Sequence, residues 1–193
     1  MSQVDPKTAK EQLISAGIGD RFAEMELSSF GELGARFLAA FAPANVKTVK
    51  PILRKGFLAY FNGKGSREFA LTLAGGLLLV YSPTVHCLHL STLSDLLDNR
   101  ETDRIQELID SDLLVVTEFL NTSSTSPLSP RSVFRVESFL LERTETYGKS
   151  LILTGDGKLT QTQWWTPRMT SRIIDSFIQE TVSDYAYPSA SKI

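Results

Sequence analysis

With 193 residues, 42% of them hydrophobic and 22% charged, the chain has the make-up of one globular domain with a substantial core, not of a disordered or fibrous protein. A net charge of −2 announces no basic field for nucleic acid, and a single cysteine excludes an internal disulfide. No run approaches about 18 apolar residues and no charged-then-apolar leader follows Met1, so the expectation is a cytoplasmic, soluble protein.

Residues 1–15 are polar and read as a flexible lead-in, with one short helix after Pro6. The segment Ala16-Gly17-Ile18-Gly19-Asp20-Arg21-Phe22 follows, then Met25 to Phe30. A helix is expected over Glu32–Phe41, with Leu33, Phe37, Leu38 and Phe41 on one side. Residues 42–50 read as a loop or a ragged helix end, and Pro51 bars helix continuation there.

Gly56–Phe61 is an apolar run that predicts a buried strand. Phe69, Ala70, Leu73, Ala74 and Leu77 then recur on one face of a helix expected over Ser66–Leu78. Val85–Leu90 predicts a second strand, and Thr92–Leu97 and Thr102–Ile109 short helices. Asp112–Val116 is a continuous apolar run of the kind found in parallel sheets covered on both faces. Residues 121–130, rich in Ser, Thr and Pro, form a loop. Arg131–Tyr147 reads as a helix with Val133, Phe134, Val136, Leu140 and Leu141 inward and Arg135, Glu142 and Arg143 outward. Ser150–Leu153 is a fourth strand, residues 161–167 are irregular, and Arg168–Val182 is a last helix carrying Ile173, Ile174, Phe177 and Ile178. Residues 184–193 form a flexible tail. Strands alternating with helices predict an α/β three-layer sandwich on a central parallel sheet.

Strand, glycine turn and helix around Asn62-Gly63-Lys64-Gly65-Ser66-Arg67 is the layout of a P-loop, whose backbone amides hold phosphates. Set on G-x-x-x-x-G-K-[ST], Tyr60 falls on the first Gly, Ser66 on the Lys and Arg67 on the hydroxyl residue. Two other clusters invite chemistry. His86-Cys87-Leu88-His89 holds the chain's two histidines and its cysteine, too few to complete a tetrahedral metal site. Trp164 and Trp165, near Arg168 and Arg172, have the character of a single-strand stacking platform, or of a hydrophobic cap.

Five landmarks in order resemble the bacterial helicase-loader and transposition-helper AAA+ ATPases of the DnaC/IstB type. They are the entry at 16–30, the glycine turn, Asp112-Leu113-Leu114-Val115-Val116-Thr117-Glu118 (similar to a Walker B strand), Ser150 to Asp156 (similar to a sensor 1 strand), and Pro167-Arg168-Met169-Thr170-Ser171-Arg172 (similar to an arginine-finger helix). The resemblance covers about residues 16–175 and implies a P-loop NTPase domain of AAA+ type over 16–183, without a sizeable lid. It implies cofactor-facing positions at Asn62, Gly63, Lys64, Gly65, Ser66, Arg67, Thr117 and Asp156, a water-orienting Glu118, and Arg168 as a finger acting in trans.

The departures from that pattern point one way. Ser66 in place of Lys removes a charge-assisted hydrogen bond worth about 1.5–3 kcal/mol. Arg67 opposes Mg²⁺, Thr117 replaces its carboxylate anchor, and Asp156 sets negative charge near an anionic phosphate. The expectation is therefore a non-hydrolysing adaptor or regulatory subunit, with no cofactor or weakly held ATP or ADP, and without Mg²⁺. Its partner would be an AAA+ protein or a replicative helicase, in an oligomer. The rivals are a divergent working ATPase, with Lys64 or Arg67 in the lysine's role, and a single-stranded DNA-binding module using Trp164, Trp165 and Arg172.

Overall fold

The computed structural model describes residues 6–19, 22, 25–42, 56–120, 128–157 and 164–183. Most of the loop expected at 42–50, most of the one at 121–130 and the tail at 184–193 lie outside them. In chain order come α1 (Pro6–Ser15), a 3-10 turn (Leu27–Phe30), α2 (Gly31–Ala40), β1 (Leu58–Asn62), α3 (Ser66–Tyr81), β2 (Val85–His89), α4 (Leu90–Asn99), α5 (Thr102–Asp110), β3 (Leu113–Leu120), α6 (Pro130–Leu141), β4 (Ser150–Gly155), α7 (Pro167–Ser176) and β5 (Ile178–Thr181). The five strands form one parallel sheet in the order β2-β3-β4-β1-β5. Among the described residues no helix is long and apolar enough to cross a membrane.

Alternation along the strands divides the core into two layers. Ala59, Phe61, Val85, Cys87, Leu113, Val115 and Ile152 face α1, α2 and α3. Tyr60, Leu114, Val116, Leu151 and Leu153 face α4, α6 and α7. Phe61 and Phe69 meet edge-on at 4.8 Å, and Phe37 packs against both at 5.5 and 5.3 Å. Such pairs add about 0.5–1.5 kcal/mol each beyond area burial, and this one pins the first turn of α3 to the end of β1.

The entry segment closes a sheet edge. Cys87 N–H donates to Ala16 O at 2.7 Å, and a Cβ on Gly17 (φ +80°) would stand 2.3 Å from Cys87 O. Only glycine allows that approach.

Several sequence expectations are corrected. The short helix expected after Pro6 is α1, but it belongs to the domain more closely than its polar sequence suggested, because Leu13 is buried in the core. Leu38 is exposed, rotated off the stripe made by Leu33 and Phe37. The last helix stops at Ser176, Phe177 turns to an extended conformation, and Ile178–Thr181 becomes the fifth strand. Phe134 is 66% exposed, whereas Arg143 is fully buried. The cause is a π turn over Glu142–Thr146, closed by Tyr147 N–H on Glu142 O at 3.2 Å, which rotates Arg143 inward. There its guanidinium donates to the carbonyls of Leu108, Ile109 (2.9 Å), Ser111 (2.9 Å) and Ser150 (3.0 Å).

Candidate functional site at the carboxyl edge of the sheet

In an open parallel sheet, ligands bind outside the carboxyl ends of the strands where the chain reverses its direction of winding. Here β1 connects to β2 at the far edge, while β4 connects across β1 to β5, so the crevice lies at the ends of β1 and β4. Residues from four elements meet there or beside it.

Between β1 and α3 lie only Gly63, Lys64 and Gly65. Gly63 and Gly65 have φ of +94° and +100°, and a Cβ on Gly63 would press Val182 O at 3.1 Å. The turn is tied inward. Gly63 N–H and the Ser66 hydroxyl both donate to Gly155 O at 3.0 Å, and Ser66 N–H donates to Gly63 O at 3.1 Å. Gly155 is itself closely packed, since a Cβ there would meet Leu120 O at 2.6 Å. Asn62 accepts the Thr181 hydroxyl at 2.9 Å and the Val182 amide at 2.8 Å, which ties β1 to the end of β5.

The end of β3 is irregular. Its pairing with β4 runs from Val116↔Leu153 to Leu120↔Gly155, so three residues on β3 lie opposite one on β4. The Thr117 hydroxyl donates to Leu88 O at 3.3 Å. Glu118 takes φ +58°, rare for a residue with a side chain, and its amide donates to Thr154 Oγ1 at 3.2 Å. Its carboxylate bridges two cations or donors: His89 Nε2 lies 2.8 Å from Oε2, and Arg67 Nη1 lies 3.6 Å from Oε1. Asp156 is exposed beside this cluster, its amide on Leu120 O at 3.0 Å. Burial, and secondarily the charge of Asp156, push the Tyr60 phenol well up, and its hydroxyl donates to Gly157 O.

Among solved structures, the DnaC helicase loader matches with TM-score 0.61 at 13% identity, over 86% of this chain and 100% of its own. DnaI matches with TM-score 0.62 at 14% identity, over 86% of this chain and 94% of its own. AMPPCP-bound DnaA from Aquifex aeolicus matches with TM-score 0.63 at 12% identity over 86% of this chain, which spans about half (51%) of that one. The fold is that of an AAA+ P-loop domain. No family model matches the sequence, and no curated protein matches it.

On this AAA+ scaffold the sequence-predicted residues fall into three groups. Gly63, Lys64, Gly65, Arg67, Glu118 and Asp156 gather at the crevice. Asn62, Ser66 and Thr117, expected to face a cofactor, instead spend their side chains on β5, on Gly155 O and on Leu88 O. Arg168 and Arg172 stand together elsewhere, at 2.9 and 3.8 Å from the Glu145 carboxylate. The stacking platform is corrected. Trp165 is buried, stacked on Phe119 at 4.1 Å and 7°, with Nε1–H on Phe119 O, so it offers no face to a base; Trp164 is half-buried.

Mg-ATP does not fit the residues present. A phosphate cradle needs a longer run of inward-facing amides than the turn contains, and Tyr60 lies inside β1 where that loop would open. The Ser66 hydroxyl is committed, and Arg67 occupies the flank of Glu118 where a divalent cation would need carboxylate oxygen. Among the described residues no group of three or more His, Cys, Asp or Glu could hold a metal ion, and Cys87 is buried with its thiol pushed well up by desolvation.

His89 was singled out in sequence only as part of a cluster too small for a metal, and its place beside Glu118 was missed. It ends β2, caps α4 by accepting Ser91 N–H on Nδ1 at 3.1 Å, and reaches Glu118 across the sheet edge. The only signal for it was a histidine at the carboxyl end of a strand.

Proposed function

We propose that the chain is a helicase-loader-like AAA+ protein working as a non-hydrolysing adaptor or regulatory subunit in DNA replication or transposition. It would engage an AAA+ protein or a replicative helicase through protein contacts, with nucleotide absent or weakly held. The observation that carries this is the clasp at the carboxyl edge: Glu118, the residue placed to orient a water, is held by the chain's own His89 and Arg67 beside a three-residue turn. The shared fold with the DnaC helicase loader and with DnaI supports the replication setting. Arg168, with its side chain 70% exposed, offers a guanidinium to a neighbouring subunit in exchange for Glu145.

The test is calorimetric titration with ATP, with and without Mg²⁺, beside a phosphate-release assay and co-elution with the host's replicative helicase. The expected result is no turnover above background, no Mg²⁺ dependence of binding, and co-elution weakened by Arg168→Ala. Turnover that Glu118→Gln abolishes would overturn the reading in favour of a divergent ATPase. Salt-dependent binding of single-stranded DNA without helicase binding would overturn it in favour of a DNA-binding module.

A further inference from the structure

A surface groove of about 380 Å³ runs between α6 and the α4–α5 pair. Leu97, Ile105, Ile109 and Phe139 are its apolar walls, and none of its lining residues adjoins an undescribed residue in the chain. Its direction follows from two anchors. Arg135 holds Asp98 at 2.6 Å at one end, and Arg143 donates to the carbonyls of Leu108 and Ile109 at the other. The groove therefore runs from Arg100, the left-handed residue that ends α4, down to Glu142, which opens the π turn.

Beside the groove stands a ridge. Phe134, Ser138 and Glu142 are spaced i, i+4 and i+8, so they share one face, and all three are exposed. Phe134 is the most exposed large apolar side chain among the described residues. A lone apolar side chain on a surface is ordinary, but this one adjoins Leu97, Ile105 and Ile109, which are themselves only partly buried. The charges lie at opposite ends. Arg100 is exposed and has no ion-pair partner among the described residues, whereas Arg135 beside it is spent on Asp98. Glu142 is exposed at the far end, where its carboxylate meets the Tyr147 hydroxyl at a long 3.4 Å.

We propose that this face is an isologous interface between two copies of the chain, the ridge of each seated in the groove of the other. A two-fold axis beside Ser138 runs the two α6 helices antiparallel. It brings Phe134 of one copy onto Ile109 of the second and Arg100 of one onto Glu142 of the second, each contact occurring twice. A row of side chains at i±4 entering a groove is ordinary helix packing. With the helices parallel, Arg100 would face Arg100 and Glu142 would face Glu142, which repels. A partner surface of one sign satisfies one end only; a second copy satisfies both. The interface is separate from the carboxyl-edge crevice and does not depend on the adaptor reading.

Sedimentation equilibrium on the full chain, from micromolar to millimolar concentration, tests it. The natural protein should pass from monomer to dimer and stop there. Phe134→Ala should weaken the dimer at least about thirtyfold, as expected for an aromatic anchor that is lost from both halves. Arg100→Glu alone and Glu142→Arg alone should each stay monomeric, because each sets like charges in both contacts. An equimolar mixture of those two variants should dimerise, since opposite charges then meet at both ends. Thermal melts check folding, and Phe134→Ala, at an exposed site, decides the matter if a charge reversal does not fold. Dimers that Phe134→Ala leaves equally tight, a mixture that stays monomeric, or assemblies that grow past two copies would overturn the proposal. A natural chain still monomeric at millimolar concentration overturns it too, and leaves the groove to a different protein.

Discussion

His89 Nε2 stands 2.8 Å from Glu118 Oε2 while the Nδ1 of the same ring accepts the Ser91 amide at 3.1 Å. The neutral tautomer with its proton on Nε2 satisfies both bonds at once, because Nδ1 must be the acceptor and Nε2 the donor. One imidazole therefore joins the start of α4 to the irregular end of β3, and holds the carboxylate that faces the crevice.

Separating those two roles is possible. His89→Ala removes cap and clasp together and should cost about 1 kcal/mol, typical of a lost N-cap. His89→Asn keeps an acceptor for Ser91 N–H but does not reach Glu118, so it should recover most of that loss. Urea unfolding reads both, and equal losses in the two variants would show that the clasp, not the cap, is what stabilises this edge.

Glu118 sets backbone strain against ion pairing. A side chain at φ +58° costs about 1–2 kcal/mol, whereas exposed pairs such as those to Arg67 and His89 contribute about 0–1 kcal/mol. Strain wins on these magnitudes. Glu118→Gly should be at least as stable as the natural protein and about 1 kcal/mol more stable than Glu118→Ala, which loses the pairs and keeps the strain. A glycine variant less stable than the alanine one would falsify this account of the bulge.

Rewriting letters should not restore chemistry. Ser66→Lys with Arg67→Thr matches the end of a P-loop in sequence, but the turn still has three residues and the Ser66 bond to Gly155 O is gone. The expected outcome is a lowered melting temperature and no Mg-dependent phosphate release. Turnover in this double variant would show that loop length is not what closes the site.

The sheet was legible because β3 and β4 are apolar runs buried on both faces, and no other element type suits Leu113–Val116 or Leu151–Leu153 at that length. The fifth strand was not. Its Ile-Gln-Glu-Thr is exposed and polar, and Ile173, Ile174, Phe177 and Ile178 continue a helical spacing across the point where the backbone extends. Arg143 was read outward because charge on a helix is normally solvated; its burial depends on carbonyls at the end of α5 and the starts of β3 and β4, which no local pattern reveals. The glycine turn was found by pattern, and the strand expected over Gly56–Phe61 already held Tyr60; what the structure adds is that the strand runs on to Asn62, which leaves three residues before α3. The Glu118–His89 contact joins residues far apart in sequence and follows from the pairing of β2 with β3, which sets His89 opposite Thr117.

Trp165 should behave as core. Its stack on Phe119 and its burial predict a loss of about 3–5 kcal/mol in Trp165→Ala, measured by denaturant unfolding. In a Trp164→Phe background, oligothymidylate should leave the remaining tryptophan emission unchanged; quenching by the oligonucleotide would return Trp165 to the stacking role.

Arg143 carries the least local and most testable prediction. Four carbonyls accept from its guanidinium, so Arg143→Met leaves them unpaired in a buried site and should cost about 3–5 kcal/mol. Arg143→Lys, a point charge without the planar fork, should recover only part of that. Burial pushes the guanidinium down from its ordinary value to about 10, with the charge of Asp112 opposing the shift. Between those values the unfolded chain holds a proton that the folded chain has released, so stability conferred by this residue rises with pH there and is level below about 10. The gap in unfolding free energy between the natural protein and Arg143→Met should therefore widen from pH 9 to about pH 11. A gap that narrows over that window would mean that the folded state keeps this proton as tightly as the unfolded one, and that the carbonyl cage offsets its desolvation in full.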